Sequence, residues 1–392
     1  MPARCFPRDE FPRCSKPAPP VRAPALFVAS EFCGRRGFGT HHPLAIPRVS
    51  AVLELCDRLG WLDGDSCRTS RAAGVDDLTV FHDPAYVEAL RASDAAGRVE
   101  PRVRERHGFG NFENPLFPGV FERAATAVGG SILAAELALE GRVVFHPAGG
   151  THHGRRDRAS GFCYFNDPVF AIRRLLDGGA ARVLYVDLDA HHGDGVQEAF
   201  IDEARVRTVS IHEQGRWPHT GAADDTGRGY ARNLPVPAGF NDSELAFLLD
   251  EVVLPLADGF APEAVVVTCG TDALAGDPLS DMALSNVALW EAVDRLVGRA
   301  GPAVVLGGGG YNPWTLARCW TGLWGRLSCR EIPMELPSAA QLILRGLECD
   351  LVDDEDVEAA WLTTLADVPH PGAVRAEVES LASRGRALHV VA

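Results

Sequence analysis

From about Ala25 onward, short apolar runs alternate with longer amphipathic stretches. The runs are Ala25–Ala29, Val143–His146, Val183–Asp189, Val206–His212, Ala264–Cys269 and Ala303–Gly307. Most are valine-rich, continuous rather than alternating, and bounded by Gly or Pro, the pattern of strands buried on both faces. Between them, residues 47–60, 84–97, 118–140, 167–178, 241–258, 284–299 and 313–327 carry the apolar recurrence of helices. This order predicts an α/β fold: a central, mainly parallel sheet flanked by helices. After about Cys329 the strand pattern stops. Residues 336–392 read as a C-terminal helical extension, with helices over Ala339–Leu347, Glu355–Leu365 and Ala373–Arg384, forming either a cap or a small appendage. Residues 1–24 hold seven prolines and almost no apolar face, so they read as a disordered arm. Residues 25–335 are then the main domain.

Composition narrows the class. The 392 residues include 53 Asp+Glu against 38 Lys+Arg, a formal charge of −15. That balance speaks against direct nucleic-acid binding and against an anionic membrane surface, both of which need basic patches. The only lysine is Lys16, in the proline-rich arm, which removes Schiff-base and phosphate-loop lysine chemistry. Ten cysteines (Cys5, Cys14, Cys33, Cys56, Cys67, Cys163, Cys269, Cys319, Cys329 and Cys349) form no CxxC pair, so reduced thiols in a cytoplasmic setting are expected. The arm lacks the apolar segment of a signal peptide, and no run has the length of a membrane span.

Ligands of open parallel sheets bind beyond the carboxyl ends of the strands. Here those ends are chemically unusual. Four runs lead into HPAGGTHHG (146–154), DLDAHHGDG (187–195), CGTDALAGD (269–277) and GGGGYNPW (307–314), and seven of the thirteen histidines fall between His146 and His219. An extended chain sets Asp187, Asp189 and His191 on one side. Carboxylates crowded at a buried strand end need neutralising, and a divalent cation does so. Asp189 and His191, with Asp272 from another strand end, offer one nitrogen and two oxygens and leave positions open, a catalytic rather than a closed site. That donor set suits Zn²⁺, and also Fe²⁺ or Mn²⁺. Asp187 and Asp194 remain to orient His152 and His153 through Nδ1–H, giving two His–Asp pairs. The glycine run before Tyr311 lacks the GK[ST] ending of a phosphate loop. It reads instead as backbone that turns closely over the site and places the Tyr311 hydroxyl there.

With these segments in view, the chain resembles the histone deacetylase family, in particular its class I and bacterial acetoin-utilization-type members. The matching stretches are GTHHGRRDRASGFCYFND (150–167), YVDLDAHHGDGVQEAF (185–200), VSIH (209–212), GTDALAGDPL (270–279) and GGGGYNPWTLARCW (307–320), in family order and spacing. Weaker similarity spans roughly 25–330 and includes HHPLAIPRVS (41–50) and FHDPAYVEAL (81–90). The resemblance implies an arginase/deacetylase-like single domain and metal-dependent hydrolysis of an acylated lysine or amine. It makes Asp189, His191 and Asp272 zinc ligands, His153 the general base and acid, His152 its electrostatic partner, and Tyr311 the hydroxyl that polarises the carbonyl. Phe162 and Trp217 become walls of an acyl-lysine tunnel and Gly161 a backbone acceptor in it. Asp187 and Ser210, with carbonyls of Asp189, His191 and Ile211, resemble a site for K⁺. Arg48 corresponds to an arginine reaching the pocket behind the metal.

The sequence also departs from its relatives. Glu113 stands where they often carry an Asp that grips the substrate backbone. RWPHTG (216–221) is a short loop with His219 in place of a common Gly. Leu279 replaces the acidic gatekeeper of polyamine-preferring members, which favours acyl-lysine or a simple acylated amine over acetylpolyamine. A non-catalytic acyl-ligand binder and a two-manganese arginase or agmatinase are the alternatives of other kinds. The filled catalytic positions oppose the first, and the missing bridging carboxylates oppose the second.

Overall fold

Eight parallel strands form one sheet in the order β2-β1-β3-β8-β7-β4-β5-β6. They are β1 Leu26–Ala29, β2 Cys67–Thr69, β3 Val143–His146, β4 Val183–Asp187, β5 Val206–Glu213, β6 Ala231–Val236, β7 Ala264–Thr268 and β8 Ala303–Leu306. The computed structural model describes residues 23–29, 37–39 and 41–387, so nearly all of the proline-rich arm, with Cys5, Cys14 and Lys16, lies outside the described residues, as does Cys33. All six apolar runs are strands. Their continuity has a simple cause: alternate residues enter opposite cores. Phe27, Phe145, Val186, Val267 and Val305 face one core, and Val28, Val144, Tyr185, Val266 and Val304 the other.

Two strands carried no such signal. β2 is the three-residue Cys-Arg-Thr, and β6 reads ARNLPV with Pro235 inside it. Each is an edge strand, where one neighbour is missing and proline is tolerated.

The seven expected helices are present, over Val49–Arg58, Pro84–Ala96, Val120–Ala138, Asp167–Asp177, the stretch 242–260, Asn286–Val297 and Pro313–Leu327. The stretch 242–260 is interrupted by a π turn at Leu249–Val253, just ahead of Pro255, which has no N–H to continue an α ladder.

The C-terminal segment begins with a helix, Ser338–Arg345, and ends with another, Ala376–Ala387. The helix expected over Glu355–Leu365 is instead two short 3₁₀ turns, Asp354–Asp356 and Ala359–Leu362. The end of this segment is tied to the domain: Arg318 donates to the carbonyls of Thr364 and Ala366, and Asn286 to that of Leu365. Leu336, Leu344, Trp361, Leu365 and Val378 pack into the same core as the sheet. Cys56, Cys163, Cys269, Cys319, Cys329 and Cys349 are free thiols, and no described helix is long and apolar enough to cross a membrane.

Candidate active site

The carboxyl edge of β3, β4, β7 and β8 brings the four unusual segments together. Helix capping fixes the histidine pair. Asn166 caps the helix Asp167–Asp177 and donates through Nδ2 to the carbonyls of His152 (3.0 Å) and Gly154 (2.8 Å). The buried Asp167 carboxylate accepts the N–H groups of Gly150 (3.0 Å) and Thr151 (2.7 Å). Polar residues at the start of one helix thus hold the loop that presents His152 and His153.

Asp189, His191 and Asp272 form a buried cluster whose ligand atoms all lie within 4.8 Å of one another. His191 Nδ1 is 2.9 Å from Asp272 Oδ2 and 3.2 Å from Asp189 Oδ1. Backbone N–H groups complete the carboxylates: Gly309 donates to Asp189 at 2.5 Å and Ala190 to Asp272 at 3.0 Å. Burial opposes charge on His191, yet its hydrogen bonds to Asp189 and Asp272 push its pKa up to about 10. Burial and the Asp189 charge push Asp272 up to about 6. Two buried carboxylates therefore demand a positive charge between them. A divalent cation bound by one nitrogen and two oxygens meets that demand, so the residues fit the metal that the sequence implied.

Beside this cluster stand the two His–Asp pairs. His152 Nδ1 lies 2.7 Å from Asp187 Oδ2, and His153 Nδ1 lies 2.8 Å from Asp194 Oδ1. The imidazole centroids are 3.9 Å apart. Their environments drive them in opposite directions. Burial disfavours charge on both. Asp187 and Asp189 overcome it at His152, whose pKa rises to about 9. At His153, burial and the neighbouring His152 charge prevail over Asp194, and its pKa falls to about 3. The ionised Asp194 accepts the Nδ1–H of His153, which leaves Nε2 as the basic nitrogen.

Tyr311 is buried, its ring centroid 6.4 Å from that of His191 and 6.0 Å from that of Phe162. Burial and the charges of Asp272 and Asp189 hold its hydroxyl protonated. Trp217 stands edge-on to His153 at 4.6 Å. Gly161 has φ of 54° and lies under the Trp217 ring, where a Cβ would come within 2.4 Å of it. Phe162 also has a positive φ, and its ring meets His42 at 4.7 Å. Glu113 does not stand free at the rim: its carboxylate accepts the Gly161 N–H at 2.5 Å. Leu279 is half-buried and donates its N–H to Asp277. Ser210 is the register partner of Asp187 across β4 and β5, and its hydroxyl bonds His212. Arg48 donates to the Gly308 carbonyl and lies 5.1 Å from the Trp320 ring centroid.

Sequence reasoning passed over two residues. Asp277 is buried and accepts the N–H of Tyr311 (2.7 Å) and of Asn312 (3.3 Å), which fixes the backbone carrying the tyrosine. Arg155 pairs with Asp194 and Glu198. Asp277 lies within one of the quoted stretches, so a search for carboxylates at the same sheet edge would have found it. Nothing in RRDR (155–158) says which arginine turns inward.

A parallel sheet with these loops at its carboxyl edge is the arginase/deacetylase fold. Within that class, the chain belongs to the histone deacetylase family: the family model for the histone deacetylase domain matches residues 42–327. Histone deacetylase 8 of Danio rerio is 36% identical over 298 residues, 74% of this chain and 78% of that protein. The acetoin utilization protein AcuC of Bacillus subtilis is 34% identical over 329 residues, 80% and 84% of the two chains. Among solved structures, a histone deacetylase homologue from Aquifex aeolicus superposes with a TM-score of 0.88 at 37% identity, covering 93% of this chain and 100% of that one. A homologue complexed with SAHA gives 0.87 at 36% identity, with the same coverage.

Proposed function

We propose that this protein is a zinc-dependent deacylase that removes an acetyl or related acyl group from an N-ε-acyl-lysine or a simple acylated amine. The observation that carries the reading is the buried Asp189–His191–Asp272 cluster with the His153–Asp194 pair beside it. Asp189, His191 and Asp272 would hold the metal, which when bound polarises the scissile carbonyl and acidifies water. Zn²⁺ is the first choice and Fe²⁺ the second. Asp187 and the register-paired Ser210 would hold a structural K⁺.

The chain's own residues do the rest. His153, with Nδ1–H fixed by Asp194, keeps Nε2 free to accept the proton of the attacking water and later to deliver it to the departing amine. His152, paired with Asp187, supports negative charge developing beside it. The protonated Tyr311 hydroxyl donates to the carbonyl oxygen as that oxygen becomes anionic. Phe162 and Trp217 strip water from the apolar stem of the substrate, and the Gly161 carbonyl is a backbone acceptor beside it. A cavity of about 190 Å³ lined by Arg48, Pro147, Thr151 and Phe162 offers space and a cation for the acyl product. The protein acts without nucleic acid or membrane, in the cytoplasm.

Metal analysis combined with a panel of acyl-lysine peptides and acetylputrescine tests the reading. Turnover of acetyl-lysine peptide with one metal per chain is expected. A preference of more than about tenfold for acetylputrescine, roughly 1.4 kcal/mol, would reverse the choice of substrate. Metal-loaded protein with no turnover on the panel would leave a binding protein, and two manganese ions per chain an arginase-type hydrolase.

A further inference from the structure

The two His–Asp pairs are built differently. Asp187, in the first, is surrounded by neutral donors besides its histidine: the Tyr185 hydroxyl at 2.6 Å and the Asp189 N–H at 3.2 Å. Asp194, in the second, divides its oxygens. Oδ1 faces His153 Nδ1, while Oδ2 is paired with Arg155 Nη2. Arg155 Nη1 reaches the Asp194 carbonyl at 3.3 Å and the exposed Glu198 carboxylate. The arginine is itself held: its N–H donates to the Arg158 carbonyl at 2.9 Å, and its carbonyl accepts from His82 Nδ1 at 3.0 Å. Its side chain is largely buried.

We propose that Arg155 is a positioning residue that acts through Asp194, fixing that carboxylate so that a single oxygen meets His153 Nδ1. This inference rests on the reading of His153 as the proton carrier. A carboxylate turns about its Cβ–Cγ bond. With the guanidinium on Oδ2, the rotation that would carry Oδ1 away from Nδ1 breaks a charge-assisted bond in a buried setting. Arginine suits the task because its planar fork bridges two acceptors, Asp194 on the inside and Glu198 on the outside. Arg155 touches neither the metal ligands nor the substrate walls, so its effect should reach turnover only by way of Asp194.

A double-mutant cycle on the metal-loaded enzyme with acetyl-lysine peptide tests this. R155M should lower kcat by about tenfold to a hundredfold, the usual cost of losing a group that orients a functional side chain. KM should stay within about twofold and metal content should not change. R155K, which keeps the charge but not the fork, should recover only part of the loss. In a D194N background, R155M should cost less than about twofold more. A merely structural arginine would give additive losses, or a rise in KM, and either result overturns the proposal. Should R155M fail to fold by circular dichroism, the cycle is run with R155Q, which keeps N–H donors without the charge and faces the same criteria. Absence of turnover by the wild type would overturn the deacylase reading itself. Turnover by the wild type with an additive cycle would overturn only the role of Arg155.

Discussion

Replacing Gly309 by alanine should disable the candidate metal centre while leaving the fold intact. Gly309 does not lie in the left-handed region, unlike its neighbours Gly308 and Gly310 at φ of 137° and 135°, so alanine is compatible with its backbone. What alanine meets is the cluster itself: a Cβ at this position would lie 2.0 Å from Asp272 Oδ2, 2.7 Å from its Cγ and 2.9 Å from Asp189 Oδ2. A carbon and a carboxylate oxygen need at least about 3 Å between them, so one side must yield by about 1 Å. Metal–ligand distances are held to about 0.2 Å, so a carboxylate moved that far is no longer a ligand. If the loop moves instead, it withdraws the Gly309 N–H from Asp189 Oδ2, now 2.5 Å away. Either response should weaken Zn²⁺ binding at least about a hundredfold, about 2.7 kcal/mol. The assay is competitive zinc titration against a chromogenic chelator, with thermal melting of the metal-free protein as the check on folding. G301A is the control, because nothing lies within 4 Å of a Cβ at Gly301. A G309A protein that binds zinc as tightly as the wild type would refute the placement of the metal between Asp189 and Asp272.

Three further predictions concern catalysis and stability. H153A and Y311F should each reduce kcat by at least about a hundredfold with metal content intact, measured by steady-state turnover alongside metal analysis; near-wild-type rates in either would break the mechanism. R318A removes a fully buried guanidinium bonded to Thr364, Ala366 and Asp367. It should destabilise the protein by about 3 kcal/mol, read from denaturant midpoints, because a buried partner is left unpaired; a loss within experimental error would mean that the C-terminal segment is not held by this residue. His82 is buried with Nδ1 donating to the Arg155 carbonyl and Nε2 accepting the Asn166 N–H, and burial pushes its pKa down to about 4. Below pH 6.5 the unfolded chain takes a proton that the folded one refuses, so stability should fall by up to about 3 kcal/mol between pH 6.5 and 4 and be unaffected by this group above that window. The difference in stability between wild type and H82Q should shrink over the same range; a difference independent of pH would show that His82 does not carry the effect.

The sequence by itself determined the sheet's inner strands and the edge where the chemistry lies. Runs such as AVVV (264–267) and AVVL (303–306) are apolar at every position because both faces of an interior strand are buried. Asp, His and Tyr crowd directly after them because ligands meet a parallel sheet at its carboxyl end. Edge strands escape that logic. Cys67–Thr69 and Ala231–Val236 have only one neighbour, so their sequences are free to be short, polar or interrupted by proline. The segment from Glu355 to Leu365 has a helical pattern but forms only short turns, and its end is tied to the domain by Arg318 and Asn286, which are distant in sequence. The partners inside the site were likewise settled by tertiary structure. Local pattern identified His152, His153, Asp187 and Asp194 as candidates. That Glu113 spends its carboxylate on the Gly161 N–H, that Asp277 holds the backbone of Tyr311, and that Arg155 rather than its neighbours turns toward Asp194 depends on contacts between loops on different strands. A hydrogen bond between groups far apart in the chain leaves no periodicity to read: its geometry exists only once the sheet has fixed the ends of the strands.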